Sequence, residues 1–316
     1  MSAVADLAVE RRVRSGSAGR RRTNFVLFLG PAIVLTFLFF VTPVLINIAV
    51  SFTDLDRTLR ISKFTVEQYQ KVFRGDPRLP QVIGLTFIYA FGTLAAFNVT
   101  FGLVLALTTT SLSRMAGGFF RGVWLLPRMS PSVLYILLWL WVINPTNVGL
   151  LNQILTPLLG LTKPLDLMTS APVALIIFAN GFIGASFGMI IFTAAIRGIP
   201  EHLFHAAEVD GAGSWAKIRF ITLPALRWPL SFVTIYQALS LLVSFEYILL
   251  LTKGGPFYDT TVYALYVYRR AFTSGQYGYG AALALFLIVI GVAVAMLGWR
   301  FFDLNRLLQR PRIEVQ

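Results

Sequence analysis

The sequence predicts an all-α, polytopic membrane protein with six transmembrane helices. Of its 316 residues, 56% are hydrophobic and only 13% are charged, and the mean hydropathy is +0.72. In a typical soluble domain about a quarter of the residues are charged. A helix that crosses a bilayer needs roughly 20 mostly apolar residues, and six long uncharged intervals can each supply one. These intervals are 23–53, 79–113, 129–162, 167–196, 228–245 and 271–299.

Each interval is assigned one helix, because within hydrocarbon a helix pairs its own backbone groups internally. The first run, FLGPAIVLTFLFFVTPVLINIAVSFTD, is too long for the apolar part of a signal peptide and lacks a cleavage site near its end. The transmembrane domain is therefore predicted over 23–303, between a disordered basic tail at 1–22 and a second tail at 304–316. The later helices are predicted at about 82–110, 123–143, 171–196, 228–252 and 276–301.

Basic residues at the two ends of the chain predict its orientation. Arginines precede the first helix and accompany the end of the last one: Arg11, Arg12, Arg14, Arg20, Arg21, Arg22, Arg300, Arg306, Arg310 and Arg312. An even number of spans puts both ends on one side, and the positive-inside bias makes that side cytoplasmic. We therefore expect a multi-pass protein of the cytoplasmic (inner) membrane with both termini in the cytoplasm. The formal charge of +13 does not indicate nucleic-acid binding, because these residues do not form one soluble face.

The motifs of common catalytic and metal sites are missing from the sequence. There is no cysteine, which excludes disulfides and thiolate metal sites. No P-loop motif is present, so the chain is not expected to bind ATP through one. His202 and His205 are three residues apart, but a metal site needs more ligands, and a solvated helix face is the simpler interpretation. We therefore expect no metal site and no catalytic residues.

A polar stretch, HAAEVDGAGSWAKIRFITLPALRWP at 205–229, separates the fourth and fifth predicted helices. Pro200 is suited to the start of a short helix over 201–209. Gly211 is suited to end that helix, because glycine tolerates the left-handed conformation of a helix terminus. The stretch therefore predicts helical structure outside the membrane.

A second short helix is predicted at about 213–221, and the Leu-Pro pair at 223–224 returns the chain to the fifth helix. Together the two helices form a cytoplasmic elbow over 198–224. The residues alone leave two interpretations open: an amphipathic linker that lies on the headgroups, or a docking element for a cytoplasmic partner.

The elbow also carries a family pattern. Glu-Ala-Ala, three residues, Gly, nine residues and Ile-x-Leu-Pro is typical of the permease subunits of bacterial ATP-binding-cassette (ABC) importers. This chain keeps every spacing and departs only at its first position, where the family usually has Glu; the matching residues are His205, Ala206, Ala207, Gly211, Ile221, Leu223 and Pro224.

Further segments resemble the carbohydrate-type members of that family. GPAIVLTFLFFVTPVLINIAVSF is similar to their first helix, GLLN at 149–152 to their external segment, and FEYILLLTKGGP to the end of their fifth helix. The chain ends in NRLLQRPRIEVQ and not in the glycine-rich tail of the second permease type. It therefore resembles the first-type permeases of the maltose and glycerol-phosphate systems.

The resemblance implies a function as half of the translocation path of an ATP-driven importer of a sugar or related polyol. It implies three kinds of partner besides the lipid bilayer and no nucleic acid: a second homologous permease, two ATPase subunits, and an extracytoplasmic solute-binding protein. ATP and magnesium would bind the ATPase, so this chain is expected to be non-catalytic and to need no cofactor. The elbow would be the coupling helix that docks on the ATPase through 200–224, with the residues His205, Ala206, Ala207, Glu208, Asp210, Gly211, Ile221, Leu223 and Pro224.

Polar side chains within the predicted helices are candidates for the substrate path, because polar groups are costly in lipid. Four of them lie on the fifth helix at spacings of three, four and three residues and would share one face: Gln237, Ser240, Ser244 and Tyr247. For each candidate, hydrogen bonding between helices is the alternative, and Glu246 has the further alternative of reaching external water. The candidates are Asn98, Asn180, Gln237, Ser240, Ser244, Glu246 and Tyr247.

Two other functions are alternatives to that of an importer subunit. A stand-alone secondary transporter or channel predicts ionisable residues deep in several helices, and apart from Glu246 we identify none. A membrane-embedded enzyme predicts a set of catalytic side chains at one membrane face, and no such set is recognised.

Overall fold

The structure is a computed structural model that describes residues 27–302, and that range is mostly helical without named strands. The predicted tails at 1–22 and 304–316 lie outside the described residues. The helices used below are α1 Leu27–Ser51, α2 Leu79–Ser111, α3 Arg114–Met129, α4 Ser132–Val142, α5 Leu150–Leu158, α6 Pro172–Arg197, α7 Glu201–Val209, α8 Ser214–Ala225, α9 Arg227–Val243, α10 Glu246–Leu251, α11 Tyr263–Tyr268 and α12 Tyr277–Phe301.

Four helices, α1, α2, α6 and α12, are each long and apolar enough to cross a membrane. They lie where the first, second, fourth and sixth spans are predicted. Two bent pairs would raise the number to six if each pair counts as one span. These are α3 with α4, bent by 101°, and α8 with α9, bent by 64°. The described chain is therefore a helical membrane protein with four to six candidate spans.

The third predicted helix differs from the structure at its start and in its middle. Helix α3 begins at Arg114, well before the predicted start at about 123. The predicted continuous helix over 123–143 is wrong, because Ser130 is extended (φ −79°, ψ 145°) and Pro131 follows it. Proline has no backbone N–H and disfavours the helical conformation of the residue before it, so α3 ends and α4 starts in a new direction.

The fifth predicted helix, at 228–252, is also broken. Helix α9 ends at Val243, and Ser244 is extended (φ −74°, ψ 117°) before α10 begins. The Ser244 hydroxyl oxygen lies 3.2 Å from the Asn180 amide nitrogen and 3.4 Å from the Tyr89 hydroxyl. These contacts connect the break to α6 and α2.

Helix α6 is the most buried span and packs closely against α2. A Cβ atom at Gly188 would lie 2.3 Å from the backbone oxygen of Asn98, and one at Gly181 would lie 2.3 Å from the ring of Phe97. From the other side, a Cβ at Gly102 would lie 3.0 Å from the backbone oxygen of Ala185. The second and fourth spans therefore pack closely through small residues.

Helices α1 and α12 present apolar side chains to the outside. Phe28 and Phe40 on α1 are 78% and 72% exposed, and Met296 and Leu297 on α12 are 62% and 67% exposed. Soluble monomers rarely leave large continuous apolar patches in contact with water. These surfaces are suited to lipid or to another membrane helix.

A buried ion pair joins the segment before α2 to the region around α11 and the start of α12. The Asp76 side chain is 6% exposed and lies 3.3 Å from a guanidinium nitrogen of Arg270. Tyr279 donates to the same carboxylate at 2.7 Å, and Tyr266 also donates to it. Burial alone would raise the pKa of Asp76, but these hydrogen bonds and the charge of Arg270 hold it below its ordinary value.

Candidate functional site

A pocket of about 280 Å³ lies between α2, α3, α6, α9 and α10. It adjoins both helix breaks, because Arg128 in the last turn of α3 and Ser244 between α9 and α10 line it. Six of the seven predicted path residues line this pocket: Asn98, Asn180, Gln237, Ser240, Ser244 and Tyr247. The predicted polar face of one continuous helix does not exist, yet the same side chains converge on one cavity. Their role in transport stays a prediction.

Three of these side chains hold helices together. Asn180 on α6 donates to the hydroxyl of Tyr89 on α2 and, at 3.2 Å, to Ser244 at the α9–α10 break. Gln237 on α9 donates to the backbone oxygen of Gly184 on α6 at 3.2 Å. For Asn180, Ser244 and Gln237 the interhelical alternative therefore describes the observed contacts.

The side chains of the other three pocket residues have no hydrogen-bond partner among residues 27–302; these are Asn98, Ser240 and Tyr247. The Asn98 side chain is 1% exposed, and its amide oxygen is buried without a partner. Ser240 is exposed towards the cavity, and Tyr247 is half-buried with its ring 6.0 Å from that of Tyr135. The Asn98 amide oxygen is closed to solvent, because it packs against Gly184, where an added Cβ would lie 2.2 Å from it. The hydroxyls of Ser240 and Tyr247 line the pocket and are available for a polar ligand or for water.

Glu246 is the predicted path residue that the pocket does not include. It is exposed at the start of α10, and its carboxylate accepts a hydrogen bond from the Ser132 hydroxyl at the start of α4. The two broken helices are thus connected directly beside their breaks.

Arg128 lines the pocket but is not among the residues predicted from the sequence. It lies in the last turn of α3 and within the predicted third helix. In the sequence, however, it directly precedes the uncharged interval 129–162, where a charged residue is expected to mark the end of a span. A charged residue inside the predicted limits of a span was the signal that could have identified it.

The elbow follows the prediction in α7 but not in α8, which runs to Ala225 instead of ending near 221. The predicted return at Leu223 and Pro224 is therefore wrong, because both residues lie within α8 and the bend follows Ala225. Helix α7 has the predicted bounds, and Gly211 has a φ of +75°, in the left-handed region that ends many helices. Its N–H donates to the oxygen of Glu208 at 3.0 Å, and the N–H of Ala212 donates to the oxygen of Ala207 at 2.8 Å. Of the predicted coupling residues, the exposed ones are His205, Ala206, Glu208, Asp210, Gly211 and Pro224, and the half-buried ones are Ala207, Ile221 and Leu223.

Glu208 connects the two helices of the elbow. Lys217 on α8 donates to its carboxylate at 2.7 Å, and His205 on α7 lies 3.7 Å from the other carboxylate oxygen. The hydrogen bond and charge of Lys217 hold the pKa of Glu208 below its ordinary value. The Glu208 carboxylate therefore stays ionised at neutral pH, and its contact with Lys217 connects α7 to α8.

The same elbow contains His202 and His205, but within residues 27–302 no group of three or more potential metal ligands is found.

Long apolar helices around a polar pocket define the class of the protein: an α-helical, multi-pass membrane protein with a candidate transport path. The family model of the binding-protein-dependent transport system inner membrane component matches residues 98–301. The chain belongs to this family and is a permease subunit of an ABC importer.

Curated relatives agree with this assignment. A probable ABC transporter permease of Pyrococcus horikoshii is 31% identical, over 86% of this chain and 92% of its own length. The diacetylchitobiose uptake system permease of Streptomyces coelicolor is 28% identical, over 94% and 88%. The lactose transport system permease of Rhizobium radiobacter is 29% identical, over 86% and 91%.

Solved structures share the fold. A chain of a bacterial ABC transporter that imports the acidic polysaccharide alginate superposes with a TM-score of 0.79 at 22% identity, covering 94% of this chain and all of that one. A second, of the alginate transporter in complex with a pentasaccharide-bound periplasmic protein, has a TM-score of 0.74 at 24% identity and covers 88% and 93% of the two chains.

Proposed function

We propose that this permease imports a sugar or related polyol and forms half of the translocation path. The observation that carries the proposal is the pocket at the two helix breaks, where amide and hydroxyl side chains from three spans converge. Such groups match the hydroxyl groups of a carbohydrate, and discontinuous helices are a common way to build a transporter's substrate site. Relatives named for diacetylchitobiose and lactose support this substrate class.

The proposed topology has six spans with both termini in the cytoplasm. It counts α3 with α4 as one bent span and α9 with α10 as another, and it leaves α8 in the elbow. The arginine-rich sequences at both ends favour this orientation. The proposed domain division is a six-helix domain over 23–303, with cytoplasmic tails at 1–22 and 304–316.

In this topology the elbow at 198–224 lies in the cytoplasm, where we assign it the role of coupling helix. It would dock on an ATPase subunit that binds ATP and magnesium, while this chain stays non-catalytic. Most of its predicted coupling residues are exposed, and the Glu208–Lys217 pair makes the two short helices one unit. A short rigid unit of this kind can transmit movement.

The complete assembly would contain a second homologous permease, two ATPase subunits and an extracytoplasmic solute-binding protein. We would tag this chain in its native host, solubilise it gently and identify the proteins that copurify by mass spectrometry. The complex would then be reconstituted in liposomes and tested with labelled lactose and chitobiose. We expect a P-loop ATPase, a second permease and uptake that requires ATP hydrolysis.

The stand-alone transporter predicts a different result. Recovery of the chain alone or as a homo-oligomer, with uptake driven by an ion gradient and indifferent to ATP, would contradict the proposal. The same purification applied to a known importer of the host is the control for loss of partners.

A further inference from the structure

Arg128 is the only charged side chain that lines the pocket among the described residues. It is exposed in the last turn of α3, and its guanidinium carbon lies 5.3 Å from the centroid of the Phe187 ring on α6. Within residues 27–302 it makes no ion pair and no hydrogen bond. The pocket therefore combines neutral polar groups with one positive charge that no protein carboxylate balances.

A structural role does not account for this arrangement. A cation in the last turn of a helix interacts favourably with the helix dipole, but that interaction does not require a side chain that lines a cavity. Arg121 donates to the backbone of Thr109 and Arg270 donates to Asp76. Arg128 instead lies over the Phe187 ring and donates to no protein oxygen among residues 27–302. Its guanidinium N–H groups are therefore free to bind a ligand in the pocket.

The neighbouring groups indicate what the missing partner is. The hydroxyls of Ser240 and Tyr247 line the pocket and are unbonded among the described residues. Such groups suit a ligand with several hydroxyls. A guanidinium binds carboxylate and phosphate oxygens in a bidentate manner, which neutral sugar hydroxyls reproduce poorly.

We propose that the transported carbohydrate carries an anionic group, a carboxylate or a phosphate, and that Arg128 is the residue that selects for it. This inference rests on the proposed role of the pocket as part of the sugar path. The pocket volume of about 280 Å³ is near the lower end for small-molecule sites, so it would hold one charged sugar unit at a time.

The test compares ligands that differ in charge. The complete transporter complex is placed in nanodiscs of phosphatidylcholine, so that no anionic lipid headgroup competes for Arg128. Equilibrium binding is measured by calorimetry for digalacturonate against galactobiose and for glucose 6-phosphate against glucose. Tight binding of digalacturonate would identify a carboxylate as the anionic group, and tight binding of glucose 6-phosphate would identify a phosphate. The variants are Arg128→Gln, Arg128→Lys and, as a matched control on the same helix outside the pocket, Arg114→Gln.

We expect at least one anionic ligand to bind the wild-type complex ten-fold or more tightly than its neutral counterpart. Arg128→Gln should remove this preference and leave the weak affinity for the neutral ligand unchanged. Arg128→Lys should retain part of the preference, because a charge remains without the bidentate geometry. Arg114→Gln should bind like the wild type, and size-exclusion profiles of all variants verify assembly.

Two results would overturn the inference, and they have different consequences. If the neutral sugars bind as well as the anionic ones, or Arg128→Gln weakens both alike, Arg128 does not select for charge, but the sugar path stands. If none of the four ligands binds and the reconstituted complex imports no carbohydrate, the proposed function fails together with the inference.

Discussion

Gly211 is the residue on which the turn between the two elbow helices depends. Its φ of +75° is accessible to glycine without strain, whereas a β-branched residue there is a rare outlier. There is open space around the position, since a Cβ added at Gly211 would meet no atom within 4 Å. Any effect of a substitution would therefore come from the backbone and not from a clash.

Gly211→Val should uncouple ATP hydrolysis from transport. The backbone strain of about 1–2 kcal/mol would shift the turn and misalign the docking surface, so we expect substrate-stimulated ATP hydrolysis and uptake to fall by about ten-fold. Both rates would be measured on the reconstituted complex. Gly213→Ala is the matched control, because Gly213 has an ordinary φ of −71° and equally open surroundings. Normal uptake by Gly211→Val would show that the elbow is not the coupling element.

At the scale of elements, the contact between α2 and α6 depends on glycine. Gly188→Ala would place a methyl group 2.3 Å from the backbone oxygen of Asn98, and backbone cannot move aside as a flexible side chain can. We expect a loss of about 1–3 kcal/mol in stability, seen as a lower thermal unfolding midpoint in detergent. Gly84→Ala on α2 meets nothing within 4 Å and should be neutral. Equal midpoints for both variants would contradict the described packing.

The ion pair of Asp76 and Arg270 connects elements that are distant in the chain. Asp76→Asn would leave the partly buried guanidinium without its counter-charge, and we expect a loss of about 3 kcal/mol or less, again measured by thermal unfolding. Glu67→Gln serves as the control, since its pair with Lys63 is more than half exposed and should contribute little. An Asp76→Asn midpoint equal to that of the control would mean that the pair does not stabilise the fold.

The same pair predicts a dependence on pH. The pKa of Asp76 is lower in the folded protein than its ordinary value of 3.8, so the folded state binds the proton less readily than the unfolded state. The stabilisation is fully present above pH 3.8 and is lost as the pH falls through the lower folded pKa. Acid titration of the unfolding midpoint should show a smaller decrease for Asp76→Asn than for the wild type.

Elements whose cause is local in the sequence could be predicted, whereas those that depend on contacts between distant residues could not. Apolar runs locate the spans because the hydrophobic requirement of a bilayer is local in sequence. The break at Ser130–Pro131 also had a local signal in its proline, which the length of the apolar run conceals. The break at Ser244 had none, since it involves bonds to Tyr89 and Asn180, which are far away in the chain. Contacts of that kind become visible only in the folded structure.

At the scale of the whole molecule, the uncharged polar residues of the pocket could be predicted because each one interrupts an apolar span. Their division of roles could not, since only the structure shows that Asn180 and Gln237 bind other helices while Ser240 does not. Glu246 and Tyr247 are both predicted path residues, but only Tyr247 lines the cavity, while Glu246 accepts a hydrogen bond from Ser132 outside it. The elbow was easier to predict, because Pro200 and Gly211 act on their own backbone.

Docking of the elbow on the ATPase is tested most directly by a chemical crosslink. The chain contains no cysteine, so Ala206→Cys introduces one exposed thiol on α7 without other changes. A Thr162→Cys variant, exposed in the segment between α5 and α6, is the control. We predict that the thiol at 206 crosslinks to the ATPase subunit of the purified complex and that the thiol at 162 does not. An intact complex in which 206 forms no such crosslink, or in which 162 forms it equally, would contradict the account.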